Sequence, residues 1–196
     1  MTDQSGQQRP QNDWTFFRGF LRRPATVGYI LPSSPWLARR LARVVVPGSR
    51  LIVELGAGTG ETTLPLLQAM PPEGQLLAVE IDPEFAARLR GIDDSRLIVA
   101  EADAGDLSAL LARHGFDAAD AVVSGIPFST MTPEDGRSVL RSIWSCLRPG
   151  GCFVAYQFRS RVTELARALM GDPEVGVEFR NIPPMRVYRW TKPAAD

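Results

Sequence analysis

The chain has 196 residues, with 22 basic and 22 acidic side chains, so its formal net charge of zero offers no global basic excess for holding nucleic acid by counterion release. The length suits one domain with one substantial core, and 44% hydrophobic and 22% charged residues are an ordinary globular balance. No stretch approaches the roughly 20 apolar residues of a membrane span, and the single histidine, His114, leaves Cys146 and Cys152 without the partners a metal site needs, so no metal and two free thiols in a reducing cytoplasm are expected.

Residues 1–12 are polar, lack the apolar run of a signal peptide, and read as a disordered N-terminus. Residues 13–196 read as a single domain. It opens on a short amphipathic helix at 13–23, where Trp14, Phe17 and Leu21 recur at helical spacing beside Phe16 and Phe20. Arg18, Arg22 and Arg23 supply its positive charge, and Pro24 ends it. Ser34-Pro35 opens a second helix, with Ser34 as N-cap and Pro35 at the first helical position. Trp36, Leu37, Leu41 and Val44 are its apolar residues, and Pro47-Gly48 closes it.

Strand and helix then alternate. Strands are predicted at 51–55, 75–81, 96–100, 119–124 and 152–158. Helices fall between them at about 61–70, 83–90, 106–114 and 132–147, with Asp82 and Thr132 at helix starts. Pro149-Gly150-Gly151 reads as a turn. A helix near 161–170 and two strands at about 175–181 and 186–191 finish the chain. Repeated strand–helix units imply a mostly parallel sheet covered on both faces. The last two strands have no helix between them and suggest a closing antiparallel pair.

The strand LIVEL runs directly into Gly56-Ala57-Gly58-Thr59-Gly60 and then into a helix. Glycines suit a tight turn with close ligand approach, at the strand end where open α/β sheets bind ligands. Glu80 ends the next strand, 20 residues beyond Gly60, where a carboxylate can accept ribose hydroxyls. Glu54 precedes the glycines, where a carboxylate suits a cationic ligand. The spacing is G-x-G-x-G rather than the dinucleotide G-x-G-x-x-G, and Glu61 at the helix start is awkward for a pyrophosphate. These features together point to S-adenosyl-L-methionine over a dinucleotide. Ile81 follows Glu80 in the same candidate site. Asp103 and Ala104, after the third strand, are placed to meet an adenine amino group, although Asp103 also reads as a loop cap. Ser124, Gly125 and Ile126, after the fourth strand, lie where a methyl acceptor would meet a sulfonium, or form an ordinary turn with Pro127.

With those residues in place, the chain resembles the class I methyltransferases over about residues 14–192. More narrowly, it is similar to the bacterial phospholipid N-methyltransferases of the short soluble type, which methylate phosphatidylethanolamine towards phosphatidylcholine. The resemblance rests on FFRGFLRRPATVGYILPSS at 16–34, VELGAGTGETT at 53–63, AVEIDPEF at 78–85, VSGIPF at 123–128 and RNIPPMRVYRWTK at 180–192. It implies a Rossmann-like α/β fold with a mostly parallel seven-stranded sheet, an antiparallel terminal strand and N-terminal helices. It implies cofactor-holding roles for Glu54, Gly56, Gly58 and Glu80, with Ser33, Ser34, Ala57, Thr59 and Gly60 in the same site. It also implies that 13–23 is a docking or lid helix. One departure stands out: the family tends to carry Gln-x-Ser/Thr-Tyr in the fifth strand, where this chain has Ala155-Tyr156-Gln157-Phe158.

The composition of 13–23 makes its own physical case. Trp and three Phe beside three Arg suit an interfacial helix, and each Arg near an anionic surface contributes about 1 kcal/mol. Trp14, Phe17, Arg18, Phe20, Leu21, Arg22 and Arg180 are therefore the membrane and substrate candidates. The expected partners are a phospholipid substrate and an anionic membrane surface, for a monomer on the inner face of the cytoplasmic membrane.

Methyl transfer to an amine needs a neutral nucleophile, alignment and exclusion of water, most of which positioning supplies. Tyr29, Tyr156 and Tyr188 are candidates to orient the amine or relay its proton; Tyr29 and Tyr156 are the catalytic candidates, Tyr29 the preferred one. His114 reads as a capping or surface residue at a helix end. Two other functions compete: methylation of an RNA adenine or small amine, and an inactive membrane-binding module.

Overall fold

The computed structural model describes residues 33–194, which belong to the second of the two units, Met1–Ile30 and Leu31–Asp196, into which the chain divides. The N-terminal segment at 1–12, the helix expected at 13–23 and Tyr29 lie outside the described residues, so Trp14, Phe17, Arg18, Phe20, Leu21 and Arg22 do as well.

Helix α1, Pro35–Leu41, forms where the sequence places it. The Ser34 hydroxyl accepts from Leu37 N (3.2 Å), and Pro35 at the first position has no N–H to leave orphaned. Leu37 and Leu41 are fully buried, while Trp36 of the same apolar set stays 45% exposed. A short 3₁₀ turn, Ala42–Val44, ends this element.

The alternation that follows is β1 (Leu51–Leu55), α2 (Thr63–Ala69), β2 (Gln75–Glu80), α3 (Pro83–Leu89), β3 (Leu97–Glu101), α4 (Leu107–Arg113), β4 (Ala119–Ser124), α5 (Pro133–Cys146), β5 (Leu147–Gln157), α6 (Arg161–Met170), β6 (Glu174–Glu178) and β7 (Met185–Thr191). The strands form one sheet in the order β3-β2-β1-β4-β5-β7-β6. β1 to β5 are mutually parallel, and β7 runs antiparallel to both its neighbours. This is the expected Rossmann-like arrangement, with the antiparallel strand slotted between β5 and β6.

Several boundaries shift from the sequence reading, among them the strand expected at about 175–181, which ends at Glu178, and two shifts have a clear local cause. The helix expected from Glu61 starts at Thr63, because the turn persists through Gly60, whose φ is 95° and whose N–H bonds Ala57 O. Pro149-Gly150-Gly151, expected as a turn, lies inside β5. The partner register shifts between Ala119 and Ala121, so β5 absorbs the extra residues as an irregularity. Gly150 N and Gly151 O exchange hydrogen bonds with Lys192, and the Lys192 ammonium caps the Trp144 and Leu147 carbonyls at the end of α5.

All five residues of β1 are buried, as a central parallel strand requires. On one face, Ile52, Leu76, Ala121, Val123 and Val154 pack with Leu37 and Leu41 of α1 and Leu66 and Leu67 of α2. Sheet order reverses direction between β1 and β4, so their carboxyl ends flank the crevice where ligands bind in open α/β sheets. Leu55 stands opposite Ser124 there, and Glu54 opposite Val123.

The far edge is tied back to α1 by Asn181, only 1% exposed, in the β6–β7 connection. Its Oδ1 accepts from Ser34 N (2.9 Å), and its Nδ2 donates to Pro183 O (3.0 Å). Asn181→Ala strands two backbone groups at a buried position. We expect it to lower unfolding free energy by about 1–3 kcal/mol in urea denaturation, with an unchanged midpoint showing that the tie is dispensable.

Candidate active site

The crevice is built from three loops at the carboxyl ends of β1, β2 and β4. Leaving β1, the chain turns at Gly56, whose φ of 72° is the left-handed region that favours glycine. Gly56 N still reaches Val79 O (2.9 Å), and Gly125 N reaches Leu55 O (2.9 Å), so the sheet ladder extends one residue into both loops.

Glu80 joins the β1 and β2 loops. It is 4% exposed; Oε1 accepts from Ile81 N (2.8 Å) and Asp82 N (2.9 Å), and Oε2 accepts from Gly58 N (2.8 Å). A carboxylate has about four acceptor positions. Three are taken, which leaves Oε2 able to accept one more donor while the loop keeps its shape. Ile81 contributes its backbone N–H to this arrangement.

Glu54 is more deeply enclosed, at 1% exposure. Its Oε2 accepts from Thr63 Oγ1 (2.6 Å) at the start of α2, and its Oε1 has no partner among the described residues. Burial pushes its pKa up to about 8; the Thr63 hydroxyl opposes this, and the Glu80 and Glu61 carboxylates add to it. A buried acceptor with nothing to accept is costly in itself. Beside a glycine turn it fits a ligand bearing a positive charge or a donor, which is what the cofactor inferred from sequence carries.

At the β4 end, Ser124 is fully buried and its hydroxyl accepts from Ile126 N (3.3 Å). The Gln157 amide donates to Ile126 O (2.6 Å), clamping the loop from the end of β5. Gln157, part of the fifth-strand motif that departs from the family pattern, is not among the site candidates that the sequence offers. The available signal was a polar side chain closing a buried strand, and its partner, 31 residues away in sequence, shows only in the fold.

Tyr156 points to the same sheet face as Glu54, since it follows Val154 by two residues and Val154 is in register with Val123 and Glu54. Its hydroxyl makes hydrogen bonds with Thr62 and Ser33, and it sits so close to Gly125 that a Cβ there would overlap it. Burial raises the phenol to about 12, with Glu54 adding and the two hydroxyls opposing. Tyr156 is therefore a neutral hydrogen-bonding group near pH 7 and not a base. Ser34 is committed to capping α1, while Ser33 reaches Tyr156.

Other candidates sit further out. Asp103 caps the 3₁₀ turn Ala104–Asp106 by accepting from Gly105 N (2.7 Å), which is its loop-cap reading; burial raises its pKa against that bond. Ala102 N bonds Glu80 O, so this loop adjoins the β2 end. Ala57 is buried, and Thr59 is exposed with its hydroxyl on Glu61. Tyr188 pairs with Ala155 and so points to the opposite face from Tyr156, buried beside Trp190. Arg180 is held by Trp36, its guanidinium 4.5 Å from the ring centre. His114 is exposed at the end of α4, as expected, and both cysteines are free and buried.

Residues 52–151, from β1 into β5, match the family model described as a methyltransferase domain. The chain is 32% identical to the ornithine lipid N-methyltransferase of Singulisphaera acidiphila over 187 residues, covering 90% of this chain and 94% of that one. It is 30% identical to a probable ribosomal RNA small subunit methyltransferase A of Pyrobaculum aerophilum, but over only 58% of this chain and 40% of that one. Among solved structures, it superposes on the 1,6-didemethyltoxoflavin-N1-methyltransferase of Burkholderia thailandensis, crystallised with S-adenosylhomocysteine, with a TM-score of 0.69 at 17% identity, covering 98% of this chain and 93% of that one. A glycine turn between two buried carboxylates at the switch point of a β3-β2-β1-β4-β5-β7-β6 sheet, together with these matches, shows that the chain belongs to the class I S-adenosylmethionine-dependent methyltransferases.

Proposed function

We propose that the enzyme methylates the amine of a membrane-lipid headgroup: phosphatidylethanolamine or its methylated forms, or an amine of the kind that the name of the Singulisphaera relative indicates. One observation carries the acceptor. The lipid N-methyltransferase aligns along 90% of the chain, whereas the ribosomal RNA relative aligns along 58%. The RNA reading also lacks support from charge, and the β4 loop reads Ser124-Gly125-Ile126-Pro127-Phe128 with no Asn. The intact glycine turn with Glu54 and Glu80 speaks against an inactive module.

S-adenosylmethionine supplies a methyl group on a sulfonium, open to in-line displacement. The residues proposed to hold it are Ser33, Ser34, Glu54, Gly56, Ala57, Gly58, Thr59, Gly60, Glu80, Ile81, Asp103, Ala104, Ser124, Gly125 and Ile126. Glu54 Oε1 meets the cationic end of the ligand, and the remaining acceptor position on Glu80 Oε2 takes a hydroxyl. Tyr156 orients groups at the site without removing a proton; Tyr29 stays a catalytic candidate from its sequence context alone. Action at the inner face of the cytoplasmic membrane fits this acceptor. Among the described residues no helix is long and apolar enough to cross a membrane.

A radiolabelled methyl-transfer assay offering phosphatidylethanolamine, ornithine lipid, ribosomal RNA and small amines side by side tests the acceptor. Label is expected in an amine-bearing lipid and absent from RNA. Label in RNA or in small amines alone would overturn the lipid reading.

Glu54 ties cofactor binding to pH. Its pKa is higher folded, at about 8, than the ordinary 4.5, so between those values the folded chain holds a proton that the unfolded chain has lost. Stability of the cofactor-free fold therefore falls as pH rises through that window, by several kcal/mol in all at about 1.4 kcal/mol per unit. Glu54→Gln removes the titrating group. Its melting temperature should exceed that of the wild type by a margin that widens from about pH 5 to pH 8. Its affinity for S-adenosylhomocysteine, which keeps the amino-acid ammonium though not the sulfonium, should fall about tenfold or more, because an amide cannot neutralise that buried cation. A margin independent of pH, or an unchanged affinity by calorimetry, would refute the assignment.

A further inference from the structure

The β6–β7 connection exposes apolar side chains that the fold leaves uncovered. Phe179 is 75% exposed and Ile182 is 87% exposed, and Trp36 on the first turn of α1 is 45% exposed. These residues share one neighbourhood. Arg180, between Phe179 and Ile182, lays its guanidinium 4.5 Å from the Trp36 ring centre, and Asn181 bonds the backbone at Ser34. Arg39 lies 5.5 Å from the same Trp36 ring. Among the described residues, neither Arg39 nor Arg180 pairs with a carboxylate, whereas the neighbouring Arg40 is occupied by Val177 O and Glu178. The result is a rim of three large apolar side chains interleaved with two unpaired guanidiniums.

The rim also adjoins the site. Ser34 bonds Asn181, and its neighbour Ser33 bonds the Tyr156 hydroxyl, which abuts Gly125. Asn181, Ser34, Ser33 and Tyr156 thus relay contacts from the residue beside Ile182 to the loop at the end of β4.

We propose that this rim docks the enzyme on the surface of an anionic phospholipid bilayer. The proposal builds on the lipid-acceptor reading above and names a surface for it beyond the helix expected at 13–23. The argument is charge complementarity combined with apolar reach. Phe179 and Ile182 enter the headgroup boundary, where burial of apolar area stabilises attachment. Trp36 suits the interfacial level, with an apolar body and a polar N–H. Arg39 and Arg180 face the lipid phosphates, each contributing about 1 kcal/mol. Bound this way, the enzyme presents the crevice beside the headgroups.

The test is sedimentation of the full chain with vesicles of phosphatidylcholine alone, and of phosphatidylcholine mixed with phosphatidylglycerol. Wild type should partition onto the mixed vesicles. The double variant Phe179→Ser, Ile182→Ser should bind them about tenfold less tightly or worse, and Arg180→Gln about fivefold less tightly, with the Arg180 effect vanishing at high salt. Both alter exposed side chains, so S-adenosylhomocysteine binding serves as the folding control and should be unchanged. Equal binding by wild type and the double variant would overturn the proposal, as would a lack of preference for anionic vesicles. So would loss of self-association in the double variant without loss of vesicle binding, which would assign the rim to a second copy of the chain. Vesicle binding is read without methyl transfer. A chain that docks through this rim yet methylates no lipid would therefore refute the acceptor reading and leave the docking surface standing.

Discussion

The carboxylate of Glu80 accepts three backbone N–H groups, two from its own loop and one from Gly58. That last bond holds the glycine turn of β1 against the end of β2. Without it, the turn has backbone freedom but no address. Gly56 and Gly58 have positive φ, and such conformations are easily lost to alternatives unless a partner selects one. Glu80 selects it from a buried position, where charge-assisted hydrogen bonds are strong and water does not compete.

Glu54 is the counterpart to this arrangement. It lies one strand over, with one oxygen satisfied by Thr63 and the other left open. A protein optimised for stability alone would place an apolar residue there, since burial of a carboxylate opposes folding. The open oxygen represents a cost carried by the free protein; in the role proposed for Glu54, a cationic ligand relieves it, which would tie cofactor affinity to the protonation of one residue. Tyr156 extends the same logic one strand further. Its phenol is held neutral among Thr62, Ser33 and Gly125, so it contributes shape and hydrogen bonding, while the Gln157 amide clamps the facing loop.

The rim at Trp36, Phe179, Arg180 and Ile182 is linked to that constellation through Ser33, Ser34 and Asn181. The segment entering α1 thus serves two purposes: its cap starts the helix, and its backbone and side chains connect an exposed surface to the buried site. The proposed lipid acceptor would have to pass from a wet headgroup layer to a dry crevice, and a short path between surface and site suits that task.

Local chemistry was enough to read much of this from the chain. The buried run LIVEL, the G-x-G-x-G spacing, Glu80 at its fixed distance, the caps Ser34 and Asp82, and the Arg161–Met170 helix all follow from periodicity and hydrogen-bonding habits that neighbouring residues express by themselves. What depended on distant partners was not legible. Pro149-Gly150-Gly151 has the composition of a turn, yet pairing with Lys192 and a shifted register against β4 hold it in a strand. Gln157 gains its partner 31 residues upstream, and Tyr188 and Tyr156, two tyrosines of equal standing in sequence, are separated by the pleat onto opposite faces. Sequence alone determined the elements and the cofactor, because backbone preference and ligand charge are written within a few residues. Only the tertiary structure decided which polar groups are buried, which are left unpaired and which apolar side chains remain in water, because those are properties of the packed whole.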